Sequence, residues 1–469
     1  MEESYVWLAG YWLLTRELLL LAAAGVAVSS LDDLLFDILY FARELWRRLT
    51  IYRVWARADA STLVGPGVGA PIAVFVPAWD EADVIGQMLA TFTRTMRHPR
   101  YRIFVGVYPN DPPTRAAVDA VADPRIEIVA APHLGPTTKA DCLNAIWHGM
   151  EAYERAHGVR FKAVVLHDAE DVAHARELDV IDYLIPAKAM VQLPVVPFAD
   201  PQSRWIAGHY LDEFAESHTK DMVVREAIGA ALPAAGVACG FEREMMGQIA
   251  DALGGAPFDP DSLTVDYELG HRIHARGGNA AFVRIPGTRG EPHVTTREHF
   301  PATLEAAVRQ KSRWLLGIAL HGWDRIGWQG GIAARYMLLR DRKALLNALV
   351  VVVAYVAAIT YAAAIVLKGT VPDARTLPAV VERGSGLEGL LRLTTALLVW
   401  RLAMRMMFTG RQHGPMEALR ALPRAFIANI VNFLAALRAC RLYVGSLISK
   451  TRPVWEKTAH RFPQIEADE

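Results

Sequence analysis

The chain has 469 residues with 50 basic and 50 acidic side chains, so its formal net charge is zero. That balance argues against nucleic acid as the main partner, because such proteins carry a basic footprint. Hydrophobic residues make up 52% of the sequence, high for a wholly soluble protein.

The elements, in chain order, begin with an apolar stretch at 5–28 broken only by Arg16 and Glu17. It lacks the basic start and cleavage site of a signal peptide, so it is read as a retained membrane helix. Arg43, Arg47, Arg48, Arg53 and Arg57 follow it. From about residue 61 the pattern changes. Short apolar runs at 72–76 (IAVFV), 101–108 (YRIFVGVY), 125–130 (RIEIVA), 163–166 (AVVL), 189–196 (AMVQLPVV) and 280–285 read as strands. Helical periodicity lies between them at 83–95 and 141–156. Alternating strands and helices predict a mostly parallel sheet with crossover helices. Pro194 suggests an edge or irregular stretch in the fifth run. The 236–240 stretch GVACG would let the backbone approach a ligand closely. Helices are expected from 261, capped by Thr264 or Ser262, and over 305–320.

The C-terminal third is apolar again. Residues 345–367 carry no charge and span roughly 34 Å as a helix, enough for a bilayer core. A second span is expected at 387–408 despite Arg392, Arg401 and Arg405, with Arg401 facing protein or the interface. Residues 423–447, with Arg424, Arg438, Arg441, Asn429 and Asn432, suit an interfacial or tilted helix. Arg340, Arg342, Lys343, Arg411 and Arg420 flank these segments on the same side as the N-terminal arginines. Basic flanks mark the cytoplasmic side, so the linker at 368–388 lies outside and the central region in the cytoplasm. The expected organisation is an N-terminal membrane helix with a basic juxtamembrane segment (1–60), a catalytic domain (61–330), a membrane region (331–447) and a cytoplasmic tail (448–469). The setting is the inner membrane, multi-pass.

Chemistry concentrates in His167-Asp168-Ala169-Glu170-Asp171, directly after the fourth strand. Ligands bind at the C-terminal ends of parallel strands. Paired carboxylates there can hold a hard divalent cation, which can hold a diphosphate. Asp171 would point away from Glu170 if the strand continued. The first strand is followed by no GxGxxG, which weakens a dinucleotide-binding reading, and the chain has no Walker lysine motif. Cys142, Cys239 and Cys440 fit neither a zinc pattern nor a disulfide framework, and suit a reducing compartment. His167, His209 and His218 are read as structural.

The motifs VPAWDEADVIGQML (76–89), YPNDPPT (108–114), GPTTKADCLN (135–144), VVLHDAEDV (164–172), QLPV (192–195), RWIAGHYLDEFAE (204–216), DSLTVDYELG (261–270) and EAAVRQKSRWLLGIALHGW (305–323) occur in an order that resembles membrane glycosyltransferases of family 2. More closely, they are similar to the bacteriophage adsorption protein B family. The resemblance implies a glycosyltransferase-A-like fold and inverting transfer of a hexosyl group. The donor would be a nucleoside diphosphate sugar, expected to be UDP-linked, with Mg²⁺ or Mn²⁺ as cofactor. By resemblance, Asp168 and Glu170 take the place of the Asp-x-Asp metal motif. Asp80, Glu81 and Asp111 lie near the base and ribose, and Lys139 beside the nucleotide. Asp266 is the implied base, within Thr264-Val265-Asp266 where related synthases have Thr-Glu-Asp; Glu268 is a weaker alternative. Gln310, Arg313 and Trp314 match Gln-x-x-Arg-Trp, for contact with the diphosphate and acceptor.

The implied acceptor is a growing cell-envelope or exopolysaccharide, with an export partner protein completing passage. Two alternatives stay open: single transfer to a polyprenyl phosphate lipid, and a catalytically silent membrane scaffold or phage-adsorption component. The chain's end at Glu469 leads to the expectation of no further regulatory domain.

Overall fold

The structure is a computed structural model that describes residues 2–63, 69–288, 290–449 and 461–463. Most of the expected tail, including TRPVWEKTAH (451–460), lies outside the described residues.

Nine strands are described: β1 (Ile72–Pro77), β2 (Tyr101–Val107), β3 (Ile126–Ala130), β4 (Ala163–Leu166), β5 (Met190–Gln192), β6 (Val195–Pro197), β7 (Cys239–Glu242), β8 (Ala280–Phe282) and β9 (Thr296–Glu298). Seven form one sheet in the order β3-β2-β1-β4-β7-β5-β8, while β6 and β9 pair separately. Strands β1 to β4 run parallel, as do β5 and β8. Strand β7 runs antiparallel to both β4 and β5, so the sheet is mixed. This is the expected glycosyltransferase-A-like architecture. The run at 189–196 breaks at Pro194 into β5 and β6, which join different sheets. A proline cannot donate to the ladder, so the strand changes partners there.

Both faces of the sheet are covered. Ala73, Phe75 and Phe104 pack with Trp147 on one side, and Ile72, Val74 and Val76 with Ile85, Leu89 and Phe92 on the other. The alternation is the period of two of a strand, with both sets buried. Each Val, Leu, Ile or Phe among them contributes about 1.5–3 kcal/mol.

Helix ends follow local chemistry. Thr138 caps the Lys139–His157 helix in a reciprocal box with Asp141, and Gly158 ends it in the left-handed region. The helix expected from 261 begins at Val265, but Thr264 makes no side-chain cap bond. Ser262 Oγ instead donates to Glu268 at 2.6 Å. The Leu304–Leu315 helix continues into a π-helical turn, Leu316–Leu320.

Three helices are long and apolar enough to cross a membrane: Tyr5–Val54, Ile332–Thr370 and Pro415–Ser449. The segment expected as a span at 387–408 is helical as well. It lies within one helix, Gly386–His413, outside that set. Its arginines reach the central region: Arg401 pairs with Glu216, and Arg405 lies 3.5 Å from Asp212. Along Pro415–Ser449, Asn432 Oδ1 accepts from Lys311 at 2.8 Å and Tyr443 donates to Asp324 at 2.8 Å. Asn429 meets Tyr355 of the Ile332–Thr370 helix at 2.9 Å.

One helical stretch joins the sheet region to these helices. Gly208–Glu216 passes through a π-helical turn, Ser217–Asp221, into Met222–Ala227. Lys220 is buried between Asp37 and Glu216, 2.6 Å from each. Asp212 accepts from Arg424 at 2.8 Å, with both side chains sealed from solvent. A buried charge is tolerated only when paired in this way.

Candidate functional site

The turn after β4 and the start of the Lys139–His157 helix lie at the C-terminal edge of the parallel strands. A cleft of about 270 Å³ lies there, lined by Lys139, Asp168, Glu170, Asp266, Glu298, Gln310, Arg313 and Trp314 among others. Sequence stretches from five separate elements therefore converge on one space.

The acidic turn divides its carboxylates. Asp168 and Glu170 face the cleft. Asp171 turns inward, 2.7 Å from His167 Nδ1, and its Oδ2 also accepts the Asp168 N–H at 3.1 Å. His167 Nε2 meets Glu177 at 2.6 Å. Burial alone would lower the His167 pKa, but Glu177 and Asp171 outweigh it and push it up to about 10. The imidazolium thus braces the turn from behind. The strand ends at Leu166, so it is the turn, not strand alternation, that sends Glu170 and Asp171 different ways.

Lys139, the first residue of its helix, forms an ion pair with Asp168. Burial disfavours its charge, yet Asp168 and Asp266 more than reverse the effect and hold it protonated. Sequence reasoning missed Glu298, at the end of β9. Burial, with Asp171, Glu170 and Asp168 close by, pushes its carboxyl well above the usual range. No motif marks it, because the β6–β9 pairing that delivers it joins segments about a hundred residues apart.

Among the described residues, no three His, Cys, Asp or Glu side chains are grouped to hold a metal ion by themselves. The donor set fits a cation that shares its shell with a ligand. Mg²⁺ characteristically takes one or two carboxylates and completes its octahedron with phosphate and water oxygens. Asp168 and Glu170 supply that number at the cleft.

Asp266 sits in the first turn of Val265–Ala275. Its Oδ1 accepts from the Tyr267 N–H at 2.8 Å. Its Oδ2 faces Gly236, whose φ is +84°, and a Cβ added to Gly236 would collide with it. Burial raises the Asp266 pKa and Asp168 adds to the rise, while Lys139, the Tyr267 N–H and Arg313 oppose it. Glu268 lies elsewhere: it is buried, accepts from Ser262, and pairs with Arg325 at 2.7 Å. Val265 is buried in the cleft wall.

Gln310, Arg313 and Trp314 share one face of Leu304–Leu315, as three- and four-residue spacing requires. The Gln310 Oε1 is buried without a protein partner. Trp314 meets Tyr210 edge-on at 6.2 Å.

Asp80, Glu81 and Asp111 lie together on a separate rim. Asp80 adopts φ +55°, uncommon for a residue with a side chain. Its N–H donates to Asp111 Oδ2 at 2.6 Å, and the Glu81 N–H donates to Thr114 Oγ1 at 2.9 Å. Asp111 Oδ1 caps the Pro112–Asp119 helix through the Thr114 N–H at 3.3 Å. Both of its oxygens thus hold backbone. Asn110 ties this rim to Gly135, exchanging bonds of 2.8 and 2.7 Å. Trp79 stands edge-on to Tyr108 at 5.1 Å beside Gly135.

Residues 70–317 match the family described as glycosyltransferase like family 2. The chain is similar to bacteriophage adsorption protein B of Escherichia coli strain K12, with 35% identity over 475 residues, covering 97% of this chain and 64% of that protein. Bacteriophage N4 adsorption protein B of Escherichia coli O157:H7 matches to the same extent. The chain thus spans just under two thirds of the length of these curated relatives. Among solved structures it is similar to a mannosyltransferase from Pyrobaculum calidifontis in complex with GDP-Man and Mn²⁺, at 18% identity and TM-score 0.49, covering 86% of this chain and 97% of that one. A glucosyl-3-phosphoglycerate synthase from Mycobacterium tuberculosis is similar at 16% identity and TM-score 0.36, covering 59% of this chain and 88% of that one.

Proposed function

The chain belongs to glycosyltransferase like family 2, a family of nucleotide-sugar transferases, and on that premise we propose that it transfers a hexosyl group from a nucleoside diphosphate sugar to a hydroxyl acceptor with inversion. The observation that carries this reading is the convergence of Asp266, Lys139, Asp168 and Arg313 on one cleft. It joins a recessed carboxylate to a cationic diphosphate site.

The acceptor hydroxyl attacks the anomeric carbon as the bond to the diphosphate oxygen breaks. The electron pair leaves with the nucleoside diphosphate, and the hydroxyl proton passes to Asp266. Tyr267 N–H fixes Oδ1, which leaves Oδ2 to receive the proton. A base must be both oriented and poised, and a raised carboxyl pKa brings it nearer the working pH. Arg313 and Lys139 offset charge on the departing diphosphate. Asp168 and Glu170 would hold Mg²⁺ or Mn²⁺, which supplies further charge neutralisation there. Trp314, Phe214 and Phe300 give the cleft aromatic walls against which a sugar can pack. Asp80, Glu81 and Asp111 shape the rim for the base and ribose of the nucleotide.

The acceptor in this reading is a growing envelope polysaccharide, reached from the cytoplasmic side of the inner membrane and exported with a partner protein. The test is a donor screen with membranes containing the protein, with and without Mg²⁺ or Mn²⁺, followed by mass analysis of products. A ladder of sugars on the acceptor is the expected result. A single sugar on a polyprenyl phosphate would replace the polymer reading. No transfer and no metal-dependent nucleotide binding across the panel would overturn the enzyme reading.

A further inference from the structure

The residue after the proposed base is tied to a long apolar helix. Tyr267 does two things at once: its N–H holds Asp266 Oδ1 at 2.8 Å, and its hydroxyl donates to Asp341 Oδ2 at 2.7 Å. Asp341 belongs to Ile332–Thr370, one of the helices long enough to cross a membrane. It lies four residues before the uncharged run at 345–367, about one helical turn.

Asp341 is itself clamped. Arg225 meets it with both terminal nitrogens, Nη1 to Oδ1 at 2.9 Å and Nη2 to Oδ2 at 3.0 Å, the parallel fork that fixes a carboxylate in orientation. Arg225 Nε donates to the Ala231 carbonyl at 2.5 Å, within the segment leading to Gly236. Arg225 and Tyr267 are both buried, so neither group can exchange its partner for water. The Asp266 carboxylate therefore stands between two walls referred to the same aspartate. Tyr267 holds one oxygen, and the 231–236 backbone borders the other.

We infer that Asp341 and Tyr267 are positioning residues for transfer, and that the Ile332–Thr370 helix sets the location of the base through them. The inference rests on Asp266 being the base. Neither side chain supplies or takes the proton; each acts through the Asp266 carboxylate.

The test uses the full chain in membranes or detergent with its active donor, and compares Tyr267→Phe, Asp341→Asn, the double variant and Asp266→Asn. Tyr267→Phe removes one oxygen and keeps the ring, so it retains the fold even if Asp341→Asn does not. The expected result is a kcat lowered about tenfold in each single variant, with donor KM and nucleotide affinity unchanged. The double variant should be no worse than the poorer single one, as two ends of one bond require. Unchanged kcat in Tyr267→Phe, with transfer abolished in Asp266→Asn, would overturn the positioning role and leave the base assignment standing. Additive losses, or losses in KM and thermal stability that track kcat, would also overturn it. Intact transfer in Asp266→Asn would sink the base assignment and the inference together.

Discussion

Gly236 and Asp266 face each other so closely that no side chain on Gly236 fits beside the Asp266 carboxylate. The glycine is also in the left-handed region, where an alanine costs on the order of 1 kcal/mol. Gly236→Ala should therefore displace the carboxylate more than it unfolds the protein. A kcat at least about tenfold lower, with nucleotide affinity retained by calorimetry, is the expected outcome.

Asp266 also predicts a pH profile. Its pKa is raised in the fold, and transfer needs its unprotonated form. The rate should fall as pH drops through that raised value, at a higher pH than an ordinary aspartate would give. The sign for stability is the reverse of a salt-bridged acid. With the folded pKa above the unfolded one, the charged form destabilises the fold at neutral pH, and the penalty vanishes as pH falls below the ordinary aspartate range. Asp266→Asn should thus abolish transfer and raise the melting temperature at pH 7.

Lys139 is paired with Asp168 and faces the space assigned to the diphosphate. Lys139→Met should raise the donor KM about tenfold, the worth of one charge-assisted contact of ~1.5 kcal/mol. Lys139→Arg should recover part of it. An unchanged KM in the methionine variant would place the diphosphate elsewhere.

Lys220 is a test of architecture. Lys220→Met leaves Asp37 sealed in the interior without its cation, though Trp400 Nε1 still donates to its Oδ2. Breaking a buried pair on one side costs about 3–5 kcal/mol. Thermal unfolding in detergent should show a clear drop, and Asp37→Asn in the same chain should restore part of it.

Much of this arrangement was legible in the chain. IAVFV and AVVL are continuous apolar runs bounded by turn residues, and both became central parallel strands. The acidic turn and the Gln-x-x-Arg-Trp face reach one cleft because short-range geometry, strand end and helix spacing, determines where each points. What escaped depended on distant partners. Strand β7 is not among the expected strands, because it takes shape only with β4 and β5 on either side. Glu298 has no local signature and is brought in by β6. Asp111, expected near the base, also holds the Asp80 and Thr114 amides through its oxygens, a capping role that only the folded turn reveals. The arginines of Gly386–His413 also have distant partners, Arg401 meeting Glu216 and Arg405 meeting Asp212.

The Gly208–Asp221 stretch presents Phe214 and His218 to the cleft and Asp212, Glu216 and Lys220 to the apolar helices. A strut fastened by buried charges along one side and open to reactants along the other leaves the central region little freedom to pivot. The cleft then keeps a constant standoff from those helices. Under the proposed function, an acceptor held at the membrane would meet the base at one depth only.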